Sequence, residues 1–297
     1  CAPDATADAV SRALRGRCRE LDELSCYLDG EGRIGILARL PERHAARLSS
    51  PETAAELSEA LGEEIGEPQV SLRDGEARLC WSARTPFCIE TAFLQRAAHR
   101  NRYCGDDCRI LPQVGGRAAL LLADGMGVGS PAAVDAGLCT ELLERLITAG
   151  ASPQPALRLV SAALLSGGGE ERLCTVDAAI LDLFTCRLDL YKAGAAPTYV
   201  LRQGRAAAIE TPSLPVGILD GAEAERTTLS LAEGDLVVMV SDGVTDSGAG
   251  WIPSELNALA AEPLDQLCSG LLDAAAARRT DGHEDDMTVI AARIVRS

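Results

Sequence analysis

The sequence has a single lysine, Lys192, and few basic residues overall. Lysine and arginine together number 28, against 44 aspartates and glutamates, which gives a formal net charge of -16 over 297 residues. A chain this acidic repels phosphate backbones and anionic lipid headgroups. We therefore expect neither nucleic acid nor a membrane surface as a partner. The scarcity of lysine fits an Arg- and Ala-rich coding bias and by itself predicts no function.

Long apolar runs are also absent. No uninterrupted apolar segment approaches the roughly 18 residues needed to cross a bilayer, and no signal peptide opens the chain. The first residue is Cys1 and not Met, which indicates a fragment of something longer. The 297 residues can form one large domain or two smaller ones with a sizeable core.

The 11 cysteines show no pattern of a disulfide framework or a zinc site. A chain of this length does not need disulfide staples, which favours reduced cytosolic thiols. Zinc would require a second close pair beside Cys104 and Cys108, and Cys80 with Cys88 has the wrong spacing. We interpret the cysteines as free thiols.

The pattern of apolar residues divides the chain near residue 84. Residues 5–28 carry apolar side chains at helical spacing and predict one amphipathic helix, followed by a small α/β module that ends at residue 84. Residues 85–297 show longer strands with short gaps, which favours antiparallel pairing, and helices inserted between strand-rich halves. The sequence predicts a layered α+β sandwich for this second part.

Three aspartates stand at the ends of apolar runs: Asp124, Asp242 and Asp285. Each is placed as a carboxylate at the tip of a buried strand. Isolated carboxylates are costly to desolvate, so several at strand ends make sense chiefly if a divalent cation offsets their repulsion. The sequence therefore predicts a hydrolase with a hard-metal centre.

Glycines follow Asp124 at positions 125, 127 and 129. A strand, a glycine-rich turn and a helix superficially suggest a dinucleotide loop, but the third glycine is not at the required spacing and Asp124 would face the pyrophosphate. We interpret these glycines as a sharp turn that lets a backbone carbonyl reach a metal.

Seven short motifs occur in the order found in PPM-type metal-dependent serine/threonine phosphatases. They are Gly105-Asp106, Asp124-Gly125-Met126-Gly127, Thr175-Val176-Asp177, Lys192-Ala193-Gly194-Ala195-Ala196-Pro197, Leu214-Pro215-Val216-Gly217, Ser241-Asp242-Gly243-Val244-Thr245-Asp246 and Asp285-Asp286-Met287-Thr288. Asp-Gly-Met-Gly is similar to the stage II sporulation protein E branch, whereas stress-response relatives usually carry Asp-x-x-Gly-His-Gly. The resemblance covers roughly residues 87–297.

The resemblance implies an αββα sandwich with two Mn²⁺ or Mg²⁺ ions at one edge of the paired sheets. Carried over position by position, it implies the catalytic, metal-holding carboxylates Asp106, Asp124, Asp242 and Asp285, with the carbonyl of Gly125 completing one shell. Asp286 adjoins Asp285, and either could face the metal. Many relatives have histidine in the place of Met126, which cannot donate a proton, so we assign no general acid.

The resemblance also implies a substrate, which is phosphoserine on an anti-anti-sigma factor with a STAS domain, and a role in activating a sporulation sigma factor. A stress-response phosphatase with another phosphoprotein substrate and a catalytically silent scaffold of the same fold are the alternatives. We expect a cytoplasmic domain of a protein anchored in the membrane through segments outside this chain. A homodimer stays open.

Other acidic and basic side chains have simpler interpretations. Asp246 is expected to cap a turn, Asp107 to point away from Asp106 along a strand, and His283 to lie on the surface. Asp177, inside an apolar strand, either orients a ligand or accepts a backbone hydrogen bond.

Residues 1–84 contain no cluster of carboxylates resembling the one predicted for the second part. We expect this segment to regulate the phosphatase and to contribute no chemistry. Its helix, predicted to have an apolar stripe too narrow for complete burial, would relay the state of upstream segments to the helix pair at residues 131–165. Asp124 and Gly125 lead directly into that pair.

Overall fold

The computed structural model describes residues 4–28, 32–98, 103–114, 116–127, 129–166, 172–218, 224–279 and 285–297. The chain forms two compact units. The first comprises Cys1–Pro86 with Val114–Gly116, and the second comprises Phe87–Gln113 with Arg117–Ser297.

The first unit is a four-stranded antiparallel sheet with helices. Its elements are α1 (Asp4–Arg17), β1 (Glu23–Leu28), β2 (Ile34–Pro41), a 3-10 turn (Glu42–His44), α2 (Ala45–Leu48), α3 (Pro51–Leu61), β3 (Gln69–Arg73) and β4 (Glu76–Ser82). The strands lie in the order β1-β2-β4-β3. Helix α3 begins with Pro51, whose missing N–H costs nothing there, and ends at Gly62, whose left-handed φ of 66° suits glycine.

The single helix expected over residues 5–28 is wrong. Helix α1 ends at Arg17, and the last six residues of the segment form β1, which pairs with β2 along its whole length. The helical spacing of apolar residues led to this error because Leu21 packs in the core although it lies between α1 and β1 and not in a helix. The apolar stripe is also less exposed than expected, since Val10 and Leu14 are completely buried.

The second unit contains ten strands and five helices among the described residues. They are β5 (Phe87–Arg96), β6 (Asp106–Val114), β7 (Arg117–Gly125), α4 (Ser130–Thr148), α5 (Pro153–Ser166), β8 (Cys174–Asp182), β9 (Arg187–Ala193), β10 (Thr198–Arg202), β11 (Arg205–Ile209), β12 (Glu225–Ser230), β13 (Leu236–Val240), α6 (Asp242–Thr245), α7 (Ile252–Leu259), α8 (Leu264–Arg278) and β14 (Met287–Arg296). No helix in the described ranges combines the length and apolar character needed to cross a bilayer.

These elements stack as four layers. One sheet has the order β12-β9-β8-β7-β6 and the other β11-β10-β13-β14-β5. Strand β7 shows how its sequence builds the layers, because Leu120 and Leu122 face the opposite sheet while Leu121 and Ala123 face α4 and α5. Helices α7 and α8 cover the other sheet. The predicted αββα sandwich is therefore confirmed.

The only lysine of the sequence lies in a buried ion pair. Lys192 Nζ donates to Asp177 Oδ2 at 2.5 Å and to the carbonyl of Ala196 at 2.6 Å, and both charged side chains are 1% exposed. Thr198 Oγ1 donates to the same Asp177 oxygen at 2.5 Å. Asp177 thus accepts its described hydrogen bonds from side chains and not from a backbone donor, which is one of the two roles that the sequence leaves open for it. Because Thr198 begins β10 in the opposite sheet, this network ties the β9–β10 crossover to both sheets.

We expect Lys192→Met to lower the free energy of unfolding by about 3–5 kcal/mol, because it leaves the buried Asp177 carboxylate without its cation. Urea denaturation at neutral pH measures this change. The matched control is Arg145→Met, which removes an exposed pair with Glu141 and should cost less than about 1 kcal/mol. Equal small losses in both variants would contradict a stabilising role for the buried network.

Candidate metal centre

Four strand ends meet at one edge of the sandwich. Asp106 is the first residue of β6, and Asp124 is the second-last residue of β7, its antiparallel neighbour. In the opposite sheet, Asp242 begins α6 directly after β13, and Asp285 precedes β14. Adjacent antiparallel strands bring the end of one beside the start of the next, which is why carboxylates far apart in sequence converge.

Hydrogen bonds between the sheets hold this edge together. Thr288 Oγ1 donates to Asp106 Oδ2 at 2.6 Å, and Gln95 Nε2 donates to both the Asp106 carbonyl and Thr288 Oγ1 at 3.2 Å. The amide of Thr288 donates to Ser241 Oγ at 2.9 Å. Asp106, which is 5% exposed, is thereby fixed against the strand that follows Asp285.

Two glycines allow the loops to pack this closely. A Cβ added at Gly125 would lie 2.2 Å from the carbonyl oxygen of Ala132, and one at Gly243 would lie 2.0 Å from the carbonyl oxygen of Asp286. A side chain at position 125 would push the segment that carries Asp124 away from α4, and one at position 243 would push the segment that carries Asp242 away from the one that carries Asp285 and Asp286. Both glycines therefore serve close approach of the backbone.

The clustered carboxylates strongly perturb one another. Burial, the charges of Asp106, Asp242 and Asp285, and a hydrogen bond with Asp242 raise the pKa of Asp124 to about 10. Burial raises the pKa of Asp106 to about 6, although hydrogen bonds from Thr288 and Ser241 oppose the rise. Burial and the neighbouring carboxylates also raise the pKa of Asp285. Such shifts mark a site whose full negative charge needs a cation.

The geometry separates Asp285 from Asp286. Asp286 is 2% exposed, and its two oxygens accept the backbone amides of Ala98 at 2.8 Å and Gly105 at 2.7 Å. Asp285 is half-buried and lies with Asp242 and Asp246 in a group whose carboxylate oxygens are within 4.8 Å of one another. The structure thus places Asp285 in the open cluster, whereas both Asp286 oxygens hold backbone segments.

Asp246 does more than the expected capping. It ends α6, where its amide donates to the Asp242 carbonyl at 2.9 Å, and its carboxylate joins the group with Asp242 and Asp285. The signal that sequence reasoning missed is the four-residue spacing from Asp242, which places both side chains on one face of a helical turn.

The neighbouring residues meet the remaining expectations in different ways. Asp107 points away from the site as predicted, since its carboxylate accepts hydrogen bonds from Arg109 and from Thr140 of α4. Met126 is 65% exposed beside Gly125. His283 lies outside the described residues.

The donor chemistry fits a hard divalent cation. The open cluster offers carboxylate oxygens, which Mn²⁺ and Mg²⁺ prefer, and no sulfur ligand belongs to it. The ten described cysteines are free thiols, as interpreted from the sequence. Among described residues, Cys104 and Cys108 do not join a cluster of three ligating side chains, so this part of the chain offers no zinc site.

Comparison with known proteins identifies the family. A family model described as stage II sporulation protein E (SpoIIE) matches residues 114–295. The chain belongs to the SpoIIE family. It is 23% identical to stage II sporulation protein E of Priestia megaterium over 296 residues, which cover 97% of this chain and 51% of that protein. The chain thus spans about half the length of this curated relative.

Two solved structures place the fold. The SpoIIE PP2C phosphatase domain with a fragment of its regulatory domain, from Bacillus subtilis, is 23% identical with a TM-score of 0.70 and covers 98% of this chain and 88% of that chain. The catalytic domain of the serine/threonine phosphatase PstP in complex with two manganese ions is 22% identical with a TM-score of 0.55, covering 70% and 99%. This SpoIIE family member therefore has the PP2C phosphatase fold that its motifs predicted.

The raised pKa values predict how pH acts on the metal-free SpoIIE family chain. Asp124 has an ordinary pKa of 3.8 and a folded value of about 10, so the folded chain binds the extra proton between those limits and loses stability as pH rises through them. We expect Asp124→Asn to become more stable relative to the wild type as pH rises from about 5 to about 9. Urea denaturation in EDTA at several pH values measures this difference. A difference that does not change with pH would contradict the proposed crowding of carboxylates.

Proposed function

We propose that this chain is a Mn²⁺-dependent protein serine phosphatase, with Mg²⁺ as an alternative metal. The observation that carries the proposal is the convergence of Asp124, Asp242 and Asp285 at one edge of a PP2C fold, where burial and mutual repulsion raise the pKa values of Asp124 and Asp285. Membership of the SpoIIE family and the fold shared with a manganese-bound phosphatase support it.

Each residue has a distinct task in this proposal. Two divalent cations would be held by five carboxylates, which are those of Asp106, Asp124, Asp242, Asp246 and Asp285. The carbonyl of Gly125 would add a further oxygen ligand. Asp286 holds the backbone at Ala98 and Gly105 and does not act as a ligand. When bound, two such cations stabilise the charge that develops on a phosphoryl group and activate a water for in-line attack.

The protein chain determines orientation. Thr288 and Ser241 fix the Asp106 carboxyl group through hydrogen bonds, so its direction does not depend on the substrate. No described side chain is assigned as the general acid, since Met126 cannot donate a proton to the leaving serine oxygen. The exposed carboxylates at positions 242 and 246 leave the edge open to an incoming phosphorylated loop.

For the substrate, we propose phosphoserine on an anti-anti-sigma factor of the STAS class, whose dephosphorylation activates a sporulation sigma factor. The support is membership of the SpoIIE family together with the Asp-Gly-Met-Gly motif at Asp124. Anchoring of the full-length protein in the membrane, through segments outside this chain, belongs to the same proposal.

We expect Asp124→Ala and Asp242→Ala to abolish hydrolysis of phosphorylated STAS-domain proteins at saturating Mn²⁺, because each loses a ligand whose metal stabilises the transition state by several kcal/mol. Phosphate release from a panel of such proteins is the measurement. Asp107→Asn is the matched control, since Asp107 adjoins Asp106 but faces α4, and it should retain most activity. Turnover close to wild type in either ligand variant would exclude the two-metal assignment, and hydrolysis confined to other phosphoproteins would exclude the proposed substrate.

We further propose that residues 1–84 regulate the phosphatase. The described part of this segment contains no cluster of three metal-ligating side chains, which supports a regulatory role over a catalytic one. The proposed receiver is the pair α4 and α5, since α4 packs against Gly125 so closely that a Cβ there would clash with Ala132. A displacement of about 1 Å at a catalytic group can cost about a hundredfold in rate.

We expect residues 85–297 to bind Mn²⁺ and hydrolyse a small phosphoester like the full chain, but to act on phosphoprotein at a different rate, because the regulatory segment is gone. Steady-state kinetics of both forms on both substrates measures this. Identical rates and KM values on phosphoprotein would show that the first segment is a passive spacer.

A further inference from the structure

Arg279 joins the two loops that carry the carboxylates of the second sheet. It follows the last residue of α8, and its side chain is 12% exposed. Its Nη1 donates to the carbonyl of Asp285 at 3.0 Å, and its Nη2 donates to the carbonyl of Gly243 at 2.5 Å. The guanidinium also lies 3.6 Å from Asp246 Oδ2.

These three contacts reach both sides of the open carboxylate cluster. Gly243 directly follows Asp242 in α6, the short helix in the connection after β13, whereas Asp285 lies on the loop before β14. Because the Arg279 guanidinium bonds one backbone carbonyl from each of these two segments, it fixes the separation between them. The loops are in contact at the same point, because a Cβ at Gly243 would meet the Asp286 carbonyl at 2.0 Å and Arg279 Nη2 at 3.0 Å.

Arginine has the chemistry for this task. Its planar guanidinium presents several donors in a fixed fork, so it can bond two carbonyls at once, which an ammonium group cannot do with the same geometry. Its positive charge also faces a group of carboxylates that repel one another. Helix α8 supplies a rigid base, since Leu267, Leu271 and Leu272 are completely buried against the sheet.

We propose that Arg279 is a positioning residue for the metal centre, which sets the distance between the Asp242 and Asp285 loops and so preorganises their carboxylates for a divalent cation. The inference rests on the function proposed above. Both Nη atoms are engaged with backbone carbonyls, so Arg279 acts through the ligand loops and not by contact with the phosphate.

The test uses the full chain with three substitutions. Arg279→Met removes the donors at similar volume, Arg279→Lys keeps the charge but not the fork, and Arg278→Met is the matched control. Arg278 is the neighbouring arginine, which stacks on Trp251 at 4.3 Å and pairs with Glu255 at 3.6 Å. Each protein is stripped with EDTA, transferred to chelator-free buffer and titrated with MnCl₂ by calorimetry, without any substrate.

Loss of a residue that orients metal ligands typically weakens metal binding by about 10–100-fold, and we expect this for Arg279→Met. Arg279→Lys should recover part of the affinity, and Arg278→Met should stay within about twofold of the wild type. At saturating Mn²⁺, kcat of both Arg279 variants should return close to wild type, with an unchanged KM for phosphoprotein. If Arg279→Met does not fold, the Mn²⁺ titration of Arg279→Lys decides.

Three results would overturn the proposal. One is wild-type Mn²⁺ affinity in the Arg279 variants, even with a lower melting temperature, which would make the residue merely structural. Another is a raised KM for phosphoprotein that excess Mn²⁺ does not correct, which would place Arg279 on the substrate. The third is a wild-type chain that binds no Mn²⁺, which would overturn the proposed metal centre as well. A wild-type chain that binds Mn²⁺ without hydrolysing phosphoprotein would overturn the proposed function alone, and the calorimetry would still decide the role of Arg279.

Discussion

Mutual repulsion among carboxylates is the constraint on which the rest of this edge depends. Six aspartates from two sheets converge there, at positions 106, 124, 242, 246, 285 and 286. Without a cation, burial and repulsion hold the pKa of Asp124 at about 10, far above its ordinary value. Folding therefore brings together carboxylates that cannot all ionise at neutral pH, and a hard divalent cation would resolve the conflict.

The surrounding structure is organised to keep these charges in place despite their repulsion. Gly125 lets α4 pack against the end of β7, and Gly243 lets the segment that carries Asp286 pack against α6. Asp286 is used for two backbone hydrogen bonds, and Arg279 bonds carbonyls on both loops. Farther inside, the buried Lys192–Asp177 pair ties the crossover between the sheets. Hydrogen bonds and buried packing, which the metal does not supply, therefore set the geometry that the metal would use.

The sequence predicted the sandwich and the strand-end aspartates because both depend on local patterns. An apolar run followed by Asp is visible in one stretch of chain, as at Asp124 and Asp242. The role of Arg279 was not predictable, because its partners are backbone carbonyls 6 and 36 residues away. Burial of Lys192 and its pairing with Asp177 depend on strand register, which composition does not reveal. Strand β1 was predicted as helix because apolar spacing of three and four residues does not report pairing with β2.

The central claim is that the carboxylates at this edge hold divalent cations and that Asp285, not Asp286, is the ligand. Anomalous scattering from crystals of the chain grown with Mn²⁺ tests it most directly. The account predicts manganese peaks at oxygen-ligand distances of about 2–2.5 Å from Asp124, Asp242 and Asp285, with Asp286 still bonded to the amides of Ala98 and Gly105. Manganese absent from this edge, or coordinated by Asp286 in place of Asp285, would contradict it.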